Sequence, residues 1–332
     1  MLTRTILLPS IFRGNSENFN SKYDMVIRFL QDLEKNGIVL VDDTHCIRDA
    51  MIEDIKKWPQ KQRTKAQQLL IVLEKKGRFV KMSLNDEVQT NCQNQQCQQC
   101  IRMAKIYLPP ALISSDHCKE CAAKELTQFP PIEVVDVAEY FMSKFFEENL
   151  HLNDHFFGKG ESKQEFEDKI LIPLLRDAKH VKIYDRYIGR SMLNKEKESA
   201  NKYKNTIQWI LEVFLRERCS KLNGVFEVYG GINSSKKIPK SRIAAAINAL
   251  RELEEEFKKE YPNLDFKLII KDETKGEEMP HDRFLVTNQV AVSVGRGFNL
   301  LFGRQSLLQD VTISYFSDPG KIEQEVRNLP DL

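Results

Sequence analysis

The sequence has 332 residues, of which 41% are hydrophobic and 30% are charged, as is typical of a soluble globular protein. Its 50 Lys and Arg residues nearly balance 48 Asp and Glu residues, and the net charge of +2 excludes a global positive field for nucleic acid. The length exceeds what one hydrophobic core usually serves, so two domains are expected.

The first part of the chain alternates short apolar runs with amphipathic stretches. Strands are predicted at residues 4–12, 38–43, 78–82 and 132–136. Amphipathic helices are predicted at residues 21–35, 61–76 and 138–148. This β-α-β order predicts an α/β fold with a Rossmann-like parallel sheet over residues 1–150.

Two cysteine pairs interrupt this pattern between residues 83 and 131. Each pair has the form Cys-x2-Cys, and seventeen residues separate them, a spacing typical of tetrahedral zinc sites. The four thiols are those of Cys97, Cys100, Cys118 and Cys121. We therefore predict a structural zinc in a zinc ribbon at residues 90–125, inserted into the first domain. Cys92 and His117 are close enough in sequence to replace one ligand or to remain outside.

Carboxylates end two of the predicted strands, where an α/β sheet usually places its ligands. Asp42, Asp43 and Asp136 resemble the metal-binding carboxylates of PIN-like nucleases, although the first strand ends in Leu8-Pro9-Ser10 without an aspartate. This resemblance implies a metal-dependent nuclease in the first domain. The alternative is that these carboxylates cap the helices that follow them.

The second domain is predicted to occupy residues 151–332, beginning with a polar, glycine-containing linker at 151–164. Strands are predicted at residues 181–184, 225–229, 266–271, 283–287, 290–294 and 312–316. Helices are predicted at residues 165–176, 203–221 and 243–261. This order again indicates an α/β sheet.

The most informative segment runs from His281 to Asn288 and continues into the glycine-containing stretch 295–299. His281 and Arg283 are two positions apart, so both side chains leave the same face of a strand that includes them. Imidazole supplies a nucleophile near neutral pH, and a forked guanidinium binds phosphoryl oxygens. With hydrogen bonds from Asn288 and Asn299, the segment predicts a phosphodiesterase site. The alternative is a loop tip with a local ion pair.

The spacing of this segment resembles the HKD motif of the phospholipase D superfamily. The motif runs His-x-Lys, four residues, Asp, six residues, Gly, and here it runs His281-x-Arg283, four residues, Asn288, six residues, Gly295. Arginine thus replaces the motif's lysine, and asparagine replaces its aspartate.

A closer resemblance is to the phospholipase-D-like C-terminal domain of MIT-domain-containing proteins, and to bacterial proteins with HDRF before a GxG segment. The run from Lys182 to Arg190 is similar to their opening strand, and the resemblance covers residues 165–320. It implies catalytic roles for His281, Arg283, Asn288 and Asn299. It implies phosphate binding by Arg186, Arg190, Gly295, Arg296 and Gly297. Arg186 and Arg190 would alternatively pair with surface acids.

The resemblance implies a phosphodiesterase, most simply a nuclease acting on DNA or RNA in bacterial defence or in mobile elements. The superfamily uses two histidines, and a homodimer would supply the second. The MIT-associated branch is regarded as a binding domain, so the alternative is a catalytically silent module for nucleic acid, a phosphoinositide or another phosphate ligand on a zinc-stabilised scaffold.

No apolar run approaches the roughly 20 residues that cross a bilayer, so no transmembrane segment is expected. The first residues lack the cleavage site of a signal peptide, and the cysteines fit a reducing compartment. We therefore expect a cytoplasmic protein.

Overall fold

A computed structural model gives the fold. It describes residues 2–13, 19–84, 88–115, 117–129, 132–150, 154–193, 197–217, 224–234, 238–273, 278–295, 297–298 and 307–332. The chain divides into two compact units, Met1–Leu152 and Asn153–Leu332. Each unit contains one sheet flanked by helices. None of the described helices combines the length and apolarity needed to span a membrane.

The first unit is built on a parallel five-stranded sheet with strand order β3-β2-β1-β4-β5. The strands are β1 (Thr3–Leu7), β2 (Gly37–Asp42), β3 (Phe79–Met82), β4 (Ala111–Ser114) and β5 (Glu133–Asp136). Every residue of β2 and β4 is buried, as expected where helices cover both faces of a parallel sheet. Strand β1 is shorter than predicted because Pro9 opens a 3-10 turn, Pro9–Phe12.

Five helices of the first unit lie between its parallel strands in sequence, and a sixth follows β5. They are α1 (Phe19–Asn36), α2 (Cys46–Lys56), α3 (Gln60–Lys75), α4 (Gln95–Tyr107), α5 (His117–Leu126) and α6 (Lys144–Leu150). Helix α4 connects β3 to β4 and therefore passes over β2 and β1, which lie between them in the sheet.

The prediction that residues 90–125 form a zinc ribbon is wrong, because this stretch forms helix α4, strand β4 and helix α5. Strand β4 pairs with both β1 and β5, so it is an interior strand of the sheet and not part of an insertion. The helical pattern of α4 is carried by Cys97, Cys100, Ile101 and Ala104, which are all buried. Cys97 and Cys100 therefore lie on the buried face of an amphipathic helix.

The second unit contains a mixed seven-stranded sheet with order β6-β12-β11-β10-β7-β8-β9. The strands are β6 (Asp154–Phe157), β7 (His180–Tyr184), β8 (Gly224–Ile232), β9 (Leu264–Asp272), β10 (Arg283–Thr287), β11 (Ala291–Val294) and β12 (Val311–Phe316). Strands β7, β8 and β9 are parallel, and all other pairs are antiparallel. Strand β6 lies within the predicted linker at 151–164, where Phe157 is buried against Phe166 with ring centroids 5.0 Å apart.

The helices of the second unit flank this sheet. They are α7 (Lys163–Phe166), α8 (Ile172–Leu175), α9 (Tyr187–Leu193), α10 (Lys197–Glu217), α11 (Lys240–Glu260) and α12 (Gly320–Arg327). A π-helical turn, Glu167–Leu171, joins α7 to α8.

Glycines allow helix α9 to approach strand β8 closely. A Cβ atom on Gly189 would lie 2.7 Å from the carbonyl oxygen of Gly231, and one on Gly230 would lie 2.8 Å from the amide nitrogen of Gly189. Both distances are shorter than real Cβ contacts, so these positions require glycine. The contact places the first turn of α9 directly against the end of β8.

Candidate functional sites

The first candidate site lies at one edge of the second sheet. Strands β7, β8 and β9 end at this edge because they are parallel, and β10 begins there because it is antiparallel to β7. The edge therefore brings together Asp185 after β7, Glu273 after β9 and Arg283 at the start of β10. Carboxyl ends of parallel strands are the usual position of ligand sites in α/β sheets.

Glu273 is the centre of a buried ion-pair cluster at this edge. Its carboxylate lies 3.0 Å from Nε of Arg186 and 2.9 Å from a terminal nitrogen of Arg190. The Glu273 side chain has no exposed surface, and that of Arg186 is only 4% exposed. Arg186 also pairs with Glu278 at 2.8 Å. Both arginines are thus paired with the buried carboxylate of Glu273, and Arg186 is also paired with the exposed Glu278, a surface acid of the kind considered as its alternative partner.

Asp185 organises the residues around the cluster. It is fully buried and accepts hydrogen bonds from the backbone amides of Tyr187, at 2.9 Å, and Phe298, at 3.3 Å. The Tyr203 hydroxyl donates a third. Burial raises the pKa of Asp185, while the amides and the nearby charge of Arg283 oppose the rise. Asp185 therefore joins α9, α10 and the backbone after β11.

Arg283 lies beside this network with its guanidinium over the ring of Tyr187. Its central carbon is 4.8 Å from the ring centroid, and that of Arg190 is 5.2 Å from the same centroid. The Nε atom of Arg283 is buried and has no hydrogen-bond partner among the described residues. Stacking on an aromatic ring fixes the plane of a guanidinium, so Arg283 is held as an oriented donor.

His281 is exposed in a bend that precedes β10. The strand begins at Arg283, so strand geometry does not place the imidazole and the guanidinium on one face, as the sequence interpretation required. The two residues remain neighbours at the same edge of the sheet. His281 is available to solvent and to a ligand.

Asn288 does not join this edge. Its side-chain oxygen accepts hydrogen bonds from the amides of Lys179, at 2.8 Å, and His180, at 3.2 Å, before β7. It follows the far end of β10, and a five-residue strand spans roughly 16 Å. Asn288 therefore supports the opposite edge of the sheet, and its predicted place in the catalytic site is wrong.

The glycine segment lies only partly within the described residues. Gly295 donates its amide to the carbonyl of Thr312 at 3.0 Å, and Gly297 has a φ of 91°. The positive φ of Gly297 leads the chain into the Phe298 amide that contacts Asp185. Arg296 and Asn299 lie outside the described residues.

The second candidate site is a thiol cluster in the first unit. The sulfur atoms of Cys92, Cys97 and Cys121 lie within 4.8 Å of one another and could hold a metal ion. Within the described ranges, they are the only group of three or more Cys, His, Asp or Glu side chains close enough to do so. The sequence had identified Cys92 only as a substitute ligand. The His117 side chain lies outside the described residues.

The other predicted ligands, Cys118 and Cys100, differ in their surroundings. The thiol of Cys118 is in hydrogen-bonding contact with that of Cys97. Cys100 is fully buried, and its sulfur lies 3.6 Å from the carbonyl oxygen of Leu7, the last residue of β1. The cluster therefore lies at the carboxyl edge of the first sheet, close to the start of α4 and α5.

The thiols disfavour one another's ionisation. The hydrogen bond with Cys118, followed by burial and the proximity of Cys92, raises the pKa of Cys97. Burial, followed by the contact with Cys92, raises the pKa of Cys121 to about 11. Hydrogen bonding between thiols and burial are the main causes, and repulsion between neighbouring thiolates adds to the rise. A bound cation would favour the thiolates.

An ion pair fixes the segment that carries Cys92. Lys105 of α4 and Glu125 of α5 lie 2.7 Å apart and are both nearly buried. The Glu125 carboxylate also accepts the amide of Asn91 at 2.8 Å, and Lys105 donates to the carbonyl of Gln89 at 3.1 Å. The hydrogen bond with Lys105, followed by that from Asn91, lowers the pKa of Glu125. These contacts hold the segment before α4 against both helices.

The strand-end aspartates of the first unit have local roles. Asp42 is buried and accepts the amides of Cys46 and Ile47 at 2.8 Å each, so it caps α2. Asp136 accepts the amide of Ala138 at 2.8 Å, and Asp43 is exposed. The capping interpretation therefore accounts for Asp42, and Asp136 similarly stabilises a turn.

Comparison with known proteins adds no assignment. No known family model matches the chain, and no curated protein matches its sequence. Sequence reasoning missed Glu273, although an acidic residue two positions after a predicted strand was a usable signal.

Proposed function

We propose that the second unit is a phosphoryl-binding domain with a phospholipase D-like fold, and that it binds the backbone of nucleic acid. The observation that carries this proposal is the guanidinium of Arg283, which is stacked on Tyr187 where strands β7, β8 and β9 end. A guanidinium whose plane is fixed by an aromatic ring suits phosphate binding, since its donors are held in the fork that matches two phosphoryl oxygens.

Binding is favoured over cleavage by the arrangement of the remaining predicted residues. Asn288 lies at the other edge of the sheet, and the guanidiniums of Arg186 and Arg190 are paired with Glu273. Fewer groups than the sequence implied are therefore free to stabilise the charge of a transition state. Arg283 alone suffices to anchor one phosphate.

Replacing Arg283 with Ala should weaken binding of a fluorescein-labelled single-stranded oligonucleotide by about 1.5–3 kcal/mol, or roughly ten- to a hundredfold. Fluorescence anisotropy at fixed salt measures the effect. Arg283→Lys should recover part of the loss because it keeps the charge without the fork. Arg251→Ala, at an exposed position of α11, is the matched control. Equal affinities for the wild type, Arg283→Ala and Arg251→Ala would contradict the proposal, as would tighter binding to phosphoinositide vesicles than to the oligonucleotide.

The second candidate function is a phosphodiesterase, and the exposed His281 near Arg283 favours it. We expect His281→Ala to abolish hydrolysis of bis-p-nitrophenyl phosphate in the presence of EDTA, because imidazole would be the nucleophile and no metal would be required. Asp282→Ala, at the neighbouring exposed position, is the control. A homodimer would supply a second histidine. Hydrolysis that His281→Ala leaves unchanged would exclude this candidate.

For the first unit we propose a Rossmann-like fold with zinc in the thiol cluster. The strand order β3-β2-β1-β4-β5 is that of the first five strands of a doubly wound nucleotide-binding sheet. Zinc is the proposed metal because thiolates are soft ligands and zinc accepts four of them in a closed tetrahedral site. A closed site leaves no position for a substrate, so this zinc would be structural.

A further inference from the structure

We propose that Cys92, Cys97, Cys118 and Cys121 are the four ligands of the metal, and that Cys100 remains a free core thiol. This inference rests on the metal site proposed above and defines its composition. The Cys-x2-Cys spacing predicts Cys100 as a ligand. In the ligand set inferred from the structure, Cys92 takes its place. The replacement has distinct experimental consequences.

The distances between three of the four sulfur atoms are close to those of a tetrahedral site. Four sulfurs that each lie about 2.3 Å from one zinc are about 3.8 Å from one another. The sulfurs of Cys92, Cys97 and Cys121 are mutually within 4.8 Å, so about 1 Å of side-chain adjustment brings them to coordinating distance. Three corners of the tetrahedron are therefore already assembled.

Cys118 is placed to supply the fourth corner. Its thiol contacts that of Cys97, a member of the group of three. Cys118 and Cys121 are three positions apart on α5, and residues with this spacing lie on the same face of a helix. Both are half-buried, so a side-chain rotation at Cys118 does not disturb the packed core.

Cys100 belongs to a different environment. It is fully buried, with its sulfur 3.6 Å from the carbonyl of Leu7. Its titratable neighbours are Asp42, Cys118, Cys46 and Cys92, but its sulfur is not part of the group in which all sulfurs lie within 4.8 Å of one another. The side chain thus packs as a small apolar residue under the helix.

The assigned site joins three separate parts of the first unit. Cys92 lies in the segment before α4, Cys97 in the first turn of α4, and Cys118 and Cys121 near the start of α5. Strand β4 lies between the two helices in sequence and within the sheet. A metal held in this way fixes both helices relative to that strand.

Zinc content of purified variants tests the assignment. Wild type and Cys100→Ser should each contain about one zinc per chain, whereas Cys92→Ser and Cys118→Ser should contain much less after brief dialysis against a chelator. Serine suits the control because its hydroxyl can donate to the carbonyl of Leu7 in place of the thiol. Circular dichroism identifies any variant that fails to fold.

Alkylation of the wild-type protein gives a second measurement that needs no substitution. Mass spectrometry after treatment with N-ethylmaleimide should show Cys118 and Cys121 protected in zinc-loaded protein and labelled after chelation. Cys46, which is half-buried and outside the cluster, should be labelled in both states. Equal labelling of Cys118 in both states would overturn its assignment.

The results that would refute the ligand set differ from those that would also refute the metal site. Zinc lost from Cys100→Ser but retained by Cys118→Ser would refute the ligand set while leaving a metal site in place. Absence of any metal from wild-type protein purified under reducing conditions would refute both the ligand set and the metal site.

Discussion

Removal of the metal is expected to lower the stability of the first unit by about 4 kcal/mol, if zinc is supplied at roughly a thousandfold above its dissociation constant. A ligand that binds only the folded state stabilises that state, and the four thiols come together only in the fold. Without the metal, the crowded thiols have no cation to bridge them.

The two tryptophans allow each unit to be observed separately. Trp58 is buried in the first unit and Trp209 in the second. In a Trp209→Phe background, urea denaturation followed by the fluorescence of Trp58 should show a lower midpoint after chelation. Cys97→Ser should show the lower midpoint with or without chelator, because it lacks a ligand. If chelation leaves the urea midpoint of the wild type unchanged, a metal in the cluster does not stabilise the fold.

Replacing Glu273 with Ala is expected to lower the free energy of unfolding of the second unit by about 3–5 kcal/mol. The substitution leaves the guanidinium of Arg186, which is 4% exposed, without its buried carboxylate partner. It also removes the partner of Arg190 at 2.9 Å. Among the described residues, Arg186 then keeps only the exposed Glu278, at 2.8 Å, as a partner. A buried charge that loses its buried partner is costly, since the protein interior solvates it poorly.

The matched control for Glu273 is on β9, the strand that Glu273 follows. Asp265 pairs with Lys267 at 3.1 Å, and both side chains are about half-exposed. Asp265→Ala should therefore change stability by less than about 1 kcal/mol. Urea denaturation followed by the fluorescence of Trp209 in a Trp58→Phe background measures both variants. Equal losses in the two variants would show that the buried cluster contributes no more than a surface ion pair.

Apolar runs predicted the α/β class and most of the strands, because buried parallel strands such as β2 are continuously hydrophobic. The same criterion failed between residues 83 and 131. There the buried face of α4 is built partly from cysteines within a run of glutamines, and β4 has only four residues. Two cysteine pairs indicated a metal site, but spacing alone did not reveal that Cys100 turns toward β1.

In the second unit, too, local sequence patterns predicted some features and could not predict others. The sequence predicted β10 and the arginines near its start, since both follow from local patterns. The position of Asn288 depended on where β10 ends and on its pairing with β7, which are properties of the sheet. The partnership of Glu273 with Arg186 joins residues 87 positions apart, and no local pattern specifies it.

The pairing of β4 with β1 also bears on the order in which the first unit forms during synthesis. Thr5 is paired with Ala111, although more than a hundred residues separate them, whereas β1, β2 and β3 all lie within the first 82 residues. A nascent chain can therefore assemble three strands before the ribosome has produced the fourth, since pairings close in sequence form first. Cys92 and Cys97 leave the ribosome before β4, and Cys118 and Cys121 follow it. In the proposed site, all four thiols are available only after α5 has been synthesised, so metal binding would follow the assembly of the first three strands.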